Sequence, residues 1–181
     1  MRLFHGRLLV SPLLPILSAF FLYLGYGTVW GLLLFAALLH ECGHLLALRL
    51  CRAEILTVRV GALGAEIETV PLTQKQELLC AAAGPAANLI FCAISLLLGW
   101  RLFAMLHVAL LLFNLLPVYP LDGGRMLRAF LSPYGDRVAR IVSAVFCAAL
   151  CAAAIYSAIR SRDPLPAVAA AVIALRAWTE T

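Results

Sequence analysis

The sequence predicts an all-α polytopic membrane protein with about six transmembrane helices and a short β-hairpin at the membrane surface. Of its 181 residues, 64% are hydrophobic and only 13% are charged, whereas soluble domains contain about 45–50% apolar and about 25% charged residues. Several uncharged stretches are long enough to cross a hydrocarbon core of about 30 Å. The composition therefore excludes a soluble enzyme, a disordered chain and a small disulfide-stabilised scaffold.

The charged residues indicate which partners the protein has. The formal net charge is +5, but the 14 basic residues are scattered between apolar runs, and 13 of them are arginines. A nucleic-acid-binding face needs clustered basic residues instead. We therefore expect the lipid bilayer as a partner and no nucleic acid.

The first uncharged stretch extends from Leu8 to Leu39 and contains 32 residues. As one helix it would extend about 48 Å, so it must fold back once. Gly25-Tyr26-Gly27 is the expected reversal, because two glycines give backbone freedom and aromatic residues suit a membrane interface. The predicted spans are 8–24, as an uncleaved helix rather than a secretory leader, and 28–50.

Four further spans are predicted, all within a single membrane-embedded domain, 1–181, that has neither a PDZ nor a nucleotide-sensing domain. Three of them are uncharged stretches long enough to cross the bilayer, 78–100, 102–118 and 141–159. The segment 164–178 begins with two prolines and contains Arg176. It either spans the bilayer as a short helix or lies along the interface.

The arginine distribution predicts the orientation. With a cytoplasmic N-terminus, eleven basic residues lie inside, and three lie outside, namely Arg101, Arg160 and Arg162. This ratio agrees with the positive-inside rule. We therefore expect a multi-pass protein with a cytoplasmic N-terminus.

The segment 54–70 is the one sizeable connection that does not read as helix. Its β-branched residues alternate with polar ones on both sides of Gly61-Ala62-Leu63-Gly64, which is typical of a hairpin. An unpaired edge of this hairpin could add an extended peptide as a further strand. The alternative is a structural loop that only covers the helix ends.

The stretch His40-Glu41-Cys42-Gly43-His44 in the second predicted span indicates a metal site. Residues i and i+4 share one face of a helix, so both imidazoles can bind one Zn²⁺ while Glu41 lies beside its open position. Ionisable residues are costly in hydrocarbon unless they serve a function. The alternative, that the histidines only pack or hydrogen-bond between helices, is much weaker. Gly43 either leaves space beside the metal or lets a neighbouring helix approach.

A catalytic zinc site usually has a third protein ligand, and Asp122 is the best candidate. Pro117 and Pro120 prevent a regular helix just before it, which is tolerated at membrane depth where the chain is buried or lines a wet cavity. Gly123-Gly124 would allow a tight turn that directs the carboxylate inward. Asp122 could instead be the N-cap of the following helix. For His107, packing is the preferred interpretation.

Two asparagines lie within predicted spans, Asn88 and Asn114. A hydrogen bond to a neighbouring helix is the simplest interpretation of each. For Asn114, which precedes the broken helix before Asp122, a substrate-binding or site-supporting function is favoured over this interpretation. For Asn88 the two interpretations have equal weight. The six cysteines form no C-x-x-C pair and read as small apolar residues.

The motifs around His40–His44 and Asn114–Arg125 resemble the two signature motifs of the site-2 protease family of intramembrane zinc metalloproteases. Gly84-Pro85-Ala86-Ala87-Asn88 resembles that family's third, weaker motif. The resemblance covers about residues 8–131, in the order and spacing of the compact bacterial branch that includes the stage IV sporulation protease. It implies a location in the bacterial inner membrane.

The resemblance also implies a role for each site residue. His40, His44 and Asp122 would bind one Zn²⁺ per chain, Glu41 would be the catalytic acid/base, and Asn114 would position the substrate or the metal site. The hairpin would sit near the substrate entrance.

The expected function is hydrolysis of a peptide bond in a membrane-tethered or transmembrane protein substrate, within the bilayer or near its cytoplasmic face. Zinc would polarise the scissile carbonyl while Glu41 transfers the proton. A membrane-bound regulatory partner and a role in sporulation are compatible with this expectation. The alternatives are a proteolytically inactive, client-binding relative and a metal transporter, although the paired repeats typical of transporters are not evident.

Overall fold

The structure, a computed structural model, describes residues 4–61, 64–131 and 134–161. Within these ranges the chain forms three strands and six helices, in the order β1 (Phe4–Val10), α1 (Leu13–Tyr23), α2 (Gly27–Leu50), β2 (Ile55–Gly61), β3 (Gly64–Thr69), α3 (Gln74–Leu97), α4 (Arg101–Asn114), α5 (Asp122–Phe130) and α6 (Gly135–Ser161). The chain divides into two compact units, 1–113 and 114–181. The predicted membrane protein of mostly helical structure is confirmed.

Three of the described helices are long and apolar enough to cross a bilayer: Gly27–Leu50, Gln74–Leu97 and Gly135–Ala154. They correspond to the predicted spans 28–50, 78–100 and 141–159. The predicted spans 8–24 and 102–118 contain shorter helices of 11 and 14 residues. These extend only about 16 and 21 Å at 1.5 Å per residue, less than the hydrocarbon core. The predicted sixth span, 164–178, lies outside the described residues.

The beginning of the first predicted span is wrong, because residues 8–10 belong to a strand. β1 pairs in parallel with β2, with Leu8 opposite Val58 and Val10 opposite Val60. Helix α1 begins only after Pro12. A short apolar run is compatible with strand or helix, and here hydrogen bonds to a distant segment decide between them.

The predicted reversal between the first two helices is confirmed. Gly25 has φ +80°, a left-handed conformation that glycine adopts without strain. The two helices then pack side by side: Trp30 Nε1 donates a hydrogen bond to Ser18 Oγ at 3.0 Å, and the rings of Phe21 and Trp30 stack at 4.5 Å between centroids. These contacts fix α1 against the N-terminal part of α2.

The predicted hairpin is confirmed as β2 and β3, and it belongs to a larger sheet. β2 and β3 are antiparallel, with Gly61 opposite Gly64, and the strand order is β1-β2-β3. β2 is therefore central, while β3 forms an edge of the described sheet. Side chains at the sheet's base, Ile55 and Ile67, pack against a small core on α2 and α3.

Helices α2 and α3 pack closely in the first unit. A Cβ at Gly43 would lie 2.6 Å from the carbonyl oxygen of Ala83 and 2.8 Å from the Cβ of Ala87. Of the two predicted roles of Gly43, the close approach of a neighbouring helix is therefore the one the structure shows. Ala47, Leu48 and Cys80 form the buried core below this contact.

The second unit contains the irregular segment before α5. Helix α4 ends at Asn114 and α5 starts at Asp122, so the predicted interruption around Pro117 and Pro120 is confirmed. Tyr119 N donates to Ser143 Oγ on α6 at 2.8 Å. This bond connects the segment to the long helix of its own unit. It also gives a hydrogen-bond acceptor to a backbone N–H that lies outside any helix.

Candidate metal centre

Helix α2 presents His40 and His44 on one buried face, where they are 5% and 7% exposed. Their Nε2 atoms lie 3.1 Å apart. Two imidazole nitrogens bound to a tetrahedral Zn²⁺ at about 2.0–2.1 Å are separated by roughly 3.3 Å. The two nitrogens therefore already have the spacing of ligands that share one ion.

A backbone carbonyl sets the tautomer of His44. Its Nδ1 lies 2.8 Å from the carbonyl oxygen of Cys80 on α3. A carbonyl only accepts, so Nδ1 carries the proton and donates. The lone pair of this imidazole is then on Nε2, the atom that faces His40, as in most zinc-bound histidines.

The other nitrogen of His40 contacts an amide on α3. Asn88 Nδ2 donates to His40 Nδ1 at 2.8 Å, and His107 Nδ1 donates to Asn88 Oδ1 at 3.0 Å. Asn88 and His107 are completely buried. The structure thus brings Asn88 to a zinc ligand, and it also brings in His107, for which the sequence predicted only packing.

Gly84 provides the space that the two imidazoles occupy. A Cβ at this position would lie 2.6 Å from Nε2 of His40 and would also clash with Nε2 of His44. In the sequence, Gly84 is marked only as the first residue of the third motif. Its purpose, which is to leave space opposite the histidines, depends on how α2 and α3 face each other.

In the second unit, Asp122 is the first residue of α5 and is 5% exposed. The N-cap is Leu121, which makes no side-chain capping bond, so the alternative of Asp122 as N-cap is wrong. Arg125, one turn further on, places Nη1 3.8 Å from Asp122 Oδ1. Sequence reasoning did not identify this partner, although the i,i+3 spacing permits it.

The two glycines after Asp122 have a different purpose from the predicted tight turn, because both lie in the first turn of α5. A Cβ at Gly123 would clash with the carbonyl oxygens of Leu115 and Leu116, and one at Gly124 would lie 2.5 Å from Tyr119 N. They let the irregular segment pass directly against the start of the helix. The position of Asp122 depends on this close approach.

His40, His44 and Asp122 are the group of potential metal ligands in the described part of the chain. The two histidines belong to the first unit, and Asp122 belongs to the second. Two imidazoles and a carboxylate match the donor set of catalytic zinc sites, which leave the fourth position to water or substrate. The predicted ligand group and the predicted zinc ion are therefore both supported.

Besides Asn88, two predicted site residues are not among the ligands. Glu41 lies next to His40 on α2 and is half-buried, and Asn114 is the half-buried last residue of α4. A carboxylate adjacent to a zinc-binding histidine can transfer protons, and a side-chain amide can hold a substrate carbonyl. Both residues are thus candidates for reaction steps rather than for metal binding.

Two sequence comparisons identify proteins that are similar to this chain. Residues 99–153 match the model of peptidase family M50. A Synechocystis sp. protein named as a zinc metalloprotease is 33% identical over 118 residues, which correspond to 57% of this chain and 31% of that protein. The chain thus spans about a third of the length of this curated relative.

A solved structure shows the same fold. The site-2 protease from Methanocaldococcus jannaschii superposes with a TM-score of 0.75 at 21% identity, covering 96% of this chain and 89% of that one. The fold, the family match and the ligand group agree with one another. Over residues 99–153 the chain is similar to peptidase family M50, its fold is that of the site-2 protease, and His40, His44 and Asp122 are its candidate zinc ligands.

Proposed function

We propose that the protein is an intramembrane zinc endopeptidase that hydrolyses a peptide bond of a membrane-associated protein substrate. One observation carries this proposal: the zinc ligands His40 and His44 flank Glu41 on α2, a helix long enough to cross a bilayer. A metal site that only stabilised the fold would be fully coordinated and would not need an adjacent carboxylate.

In the proposed reaction the metal and the side chains of the protein have different roles. A zinc ion held by His40, His44 and Asp122 would supply Lewis acidity for a water molecule and for the scissile carbonyl. Glu41 takes the proton of the attacking water and delivers it to the leaving amine, so both proton transfers use one carboxylate. His40 and His44 hold the metal beside this carboxylate, and the buried position of Asp122 keeps the third ligand away from bulk water.

Asn114 is proposed to hold the substrate. It lies where α4 ends, one short irregular segment before Asp122. Its amide can donate to a substrate carbonyl oxygen, and such a donor is most useful where negative charge develops during the reaction. Its contribution would then appear in kcat more than in zinc binding.

The substrate is proposed to bind in an extended conformation. The carbonyls of an intact transmembrane helix are already hydrogen-bonded within the helix, so the segment to be cleaved must unwind. β3 is an edge strand of the described sheet, and its backbone can pair with an extended segment as a further strand. The other side of β2 is occupied by β1, which leaves β3 as the strand of the hairpin that can accept the substrate.

The orientation and the biological setting are also proposals. The arginine distribution favours a cytoplasmic N-terminus and a site nearer the cytoplasmic face. A location in the bacterial inner membrane, regulation by a membrane-bound partner and a role in sporulation rest on resemblance to the compact branch of the family. Green fluorescent protein fused after Arg52 should fluoresce and fused after Gly99 should not, and the opposite pattern would reverse the orientation.

The decisive experiment compares wild type with Glu41→Gln on a membrane-tethered substrate, with bound zinc measured in the same samples. Loss of a general acid/base lowers the rate by about 10²–10⁴-fold, whereas the zinc content should be unchanged. Glu54→Gln is the matched control, because Glu54 is an exposed carboxylate between α2 and β2.

Two results would contradict the proposal. Full cleavage by Glu41→Gln at equal protein level would remove Glu41 from the mechanism. If the zinc-loaded wild type binds the substrate but does not cleave it, the protein is better explained as a client-binding relative. If it carries zinc into vesicles, it is better explained as a transporter.

A further inference from the structure

The feature that carries a further inference is His107, a completely buried histidine on α4. Its ring lies between Phe91, stacked at 5.8 Å between centroids, and Phe103, edge-on at 4.6 Å. Its Nδ1 donates to Asn88 Oδ1, while Nε2 has no hydrogen-bond partner among the described residues. Packing alone would be served better by a third phenyl ring, since a buried polar nitrogen without a partner is costly.

Asn88 connects this histidine to the zinc site. Its amide lies between two imidazoles, 2.8 Å from Nδ1 of His40 and 3.0 Å from Nδ1 of His107. All three side chains are at most 5% exposed. The result is a continuous chain of hydrogen bonds from α4 through α3 to a zinc ligand on α2, isolated from solvent.

We propose that His107 is a positioning residue that acts through Asn88 on the zinc ligand His40. A zinc-bound histidine usually donates its other N–H to an acceptor, which fixes the ring's orientation and its tautomer. The carbonyl of Cys80 does this for His44. For His40 the anchor is a side-chain amide, which can tilt, and His107 holds the plane of that amide because its own ring lies between two phenyl rings.

The arrangement also couples zinc binding to the tautomer of His107. When His40 binds zinc through Nε2, its proton lies on Nδ1, so Asn88 must present Oδ1 there. A half-turn of the amide exchanges Oδ1 and Nδ2 without moving other groups. Nδ2 then donates to Nδ1 of His107, which must carry its own proton on Nε2.

Zinc affinity of the full chain in detergent tests the positioning role without using a substrate, so its failure is distinct from failure of the proposed function. Asn88→Leu removes the anchor and should weaken zinc binding about 10–100-fold. His107→Phe keeps the aromatic packing and removes one buried hydrogen bond, which should weaken binding about two- to tenfold. His107→Asn restores a polar atom near the Nδ1 position and should recover most of the affinity.

Ser95→Ala is the matched control, because Ser95 is a buried polar residue two turns from Asn88 on the same helix, and its Oγ donates to the carbonyl of Phe91. It should bind zinc like wild type. If His107→Phe binds zinc as tightly as wild type, with unchanged visible bands after Co²⁺ replaces zinc, His107 has only a packing role and the proposal is overturned.

Nitrogen-15 spectra of the histidine-labelled full chain provide the second test. The resonances absent from His107→Phe identify the His107 ring. Zinc should change its protonated nitrogen from Nδ1 to Nε2 in wild type but not in Asn88→Leu. The same tautomer with and without zinc would overturn the coupling between the two histidines.

Discussion

Replacing Gly84 by alanine should weaken zinc binding more than any other single-methyl change in α3. The added Cβ would lie 2.6 Å from Nε2 of His40, where ordinary contact begins at 3.4 Å. The imidazole must therefore retreat by about 0.8 Å, several times the roughly 0.2 Å within which zinc–ligand distances are held. Overpacking of this kind costs about 1–3 kcal/mol, which corresponds to about 5–150-fold weaker zinc binding.

The assay is zinc release to a competing chelator, measured on purified protein in detergent. Gly31→Ala is the control, since Gly31 lies within α2 and a Cβ there would meet nothing within 4 Å. Both substitutions raise helix propensity by a similar amount, so a difference between them isolates the crowding of the ligands. Equal zinc affinity of Gly84→Ala and wild type would refute the steric argument and with it the described packing of α3 against the ligands.

Three further outcomes are expected. Asp122→Asn keeps the side-chain shape but removes the charge, and should lower zinc occupancy at least tenfold by metal analysis, whereas full occupancy would exclude Asp122 as a ligand. Gly123→Ala places a methyl group against the carbonyls of the preceding segment. It should lower the free energy of unfolding by about 1–3 kcal/mol and reduce zinc occupancy at the same time. If both stay at the wild-type value, the close approach is contradicted. Thr73→Ala removes the capping box of α3 and should cost about 1 kcal/mol of stability, read from thermal unfolding, with zinc affinity unchanged.

The zinc site could be predicted from the sequence because its signal is local or carried by rare residues. His40, Glu41 and His44 lie within one helical turn, and helical periodicity alone places the two histidines on one face. Asp122 could be selected because it follows prolines that interrupt a helix in an apolar sequence. In both cases, polar residues in a hydrophobic context limited the alternatives.

The supporting residues could not be predicted in the same way, because their partners are distant in sequence. His107 reads as an isolated histidine until α3 brings Asn88 beside it, and nothing within one turn of α4 indicates this contact. Gly84 had a visible motif, but its purpose depends on the facing helix. Arg125 lies one turn from Asp122, so helical spacing alone would have allowed this contact to be predicted.

The errors in the predicted spans have related causes. Residues 8–10 were assigned to a helix because a short apolar run does not distinguish strand from helix. The predicted span 102–118 is longer than α4, which ends at Asn114, because absence of charge does not reveal that Pro117 cannot continue the helix. Hydropathy locates apolar segments, whereas backbone hydrogen bonding determines where each helix ends.

The parallel pairing of β1 with β2 has a consequence for how the protein is made. The two strands are separated by about fifty residues and by both α1 and α2. At about 5–20 residues per second, the ribosome takes several seconds to supply the second strand after the first. During that interval β1 has no partner within this sheet, and a two-stranded hairpin alone is only marginally stable. Closure of the sheet therefore has to wait until α1 and α2, the helix that carries His40 and His44, have been synthesised.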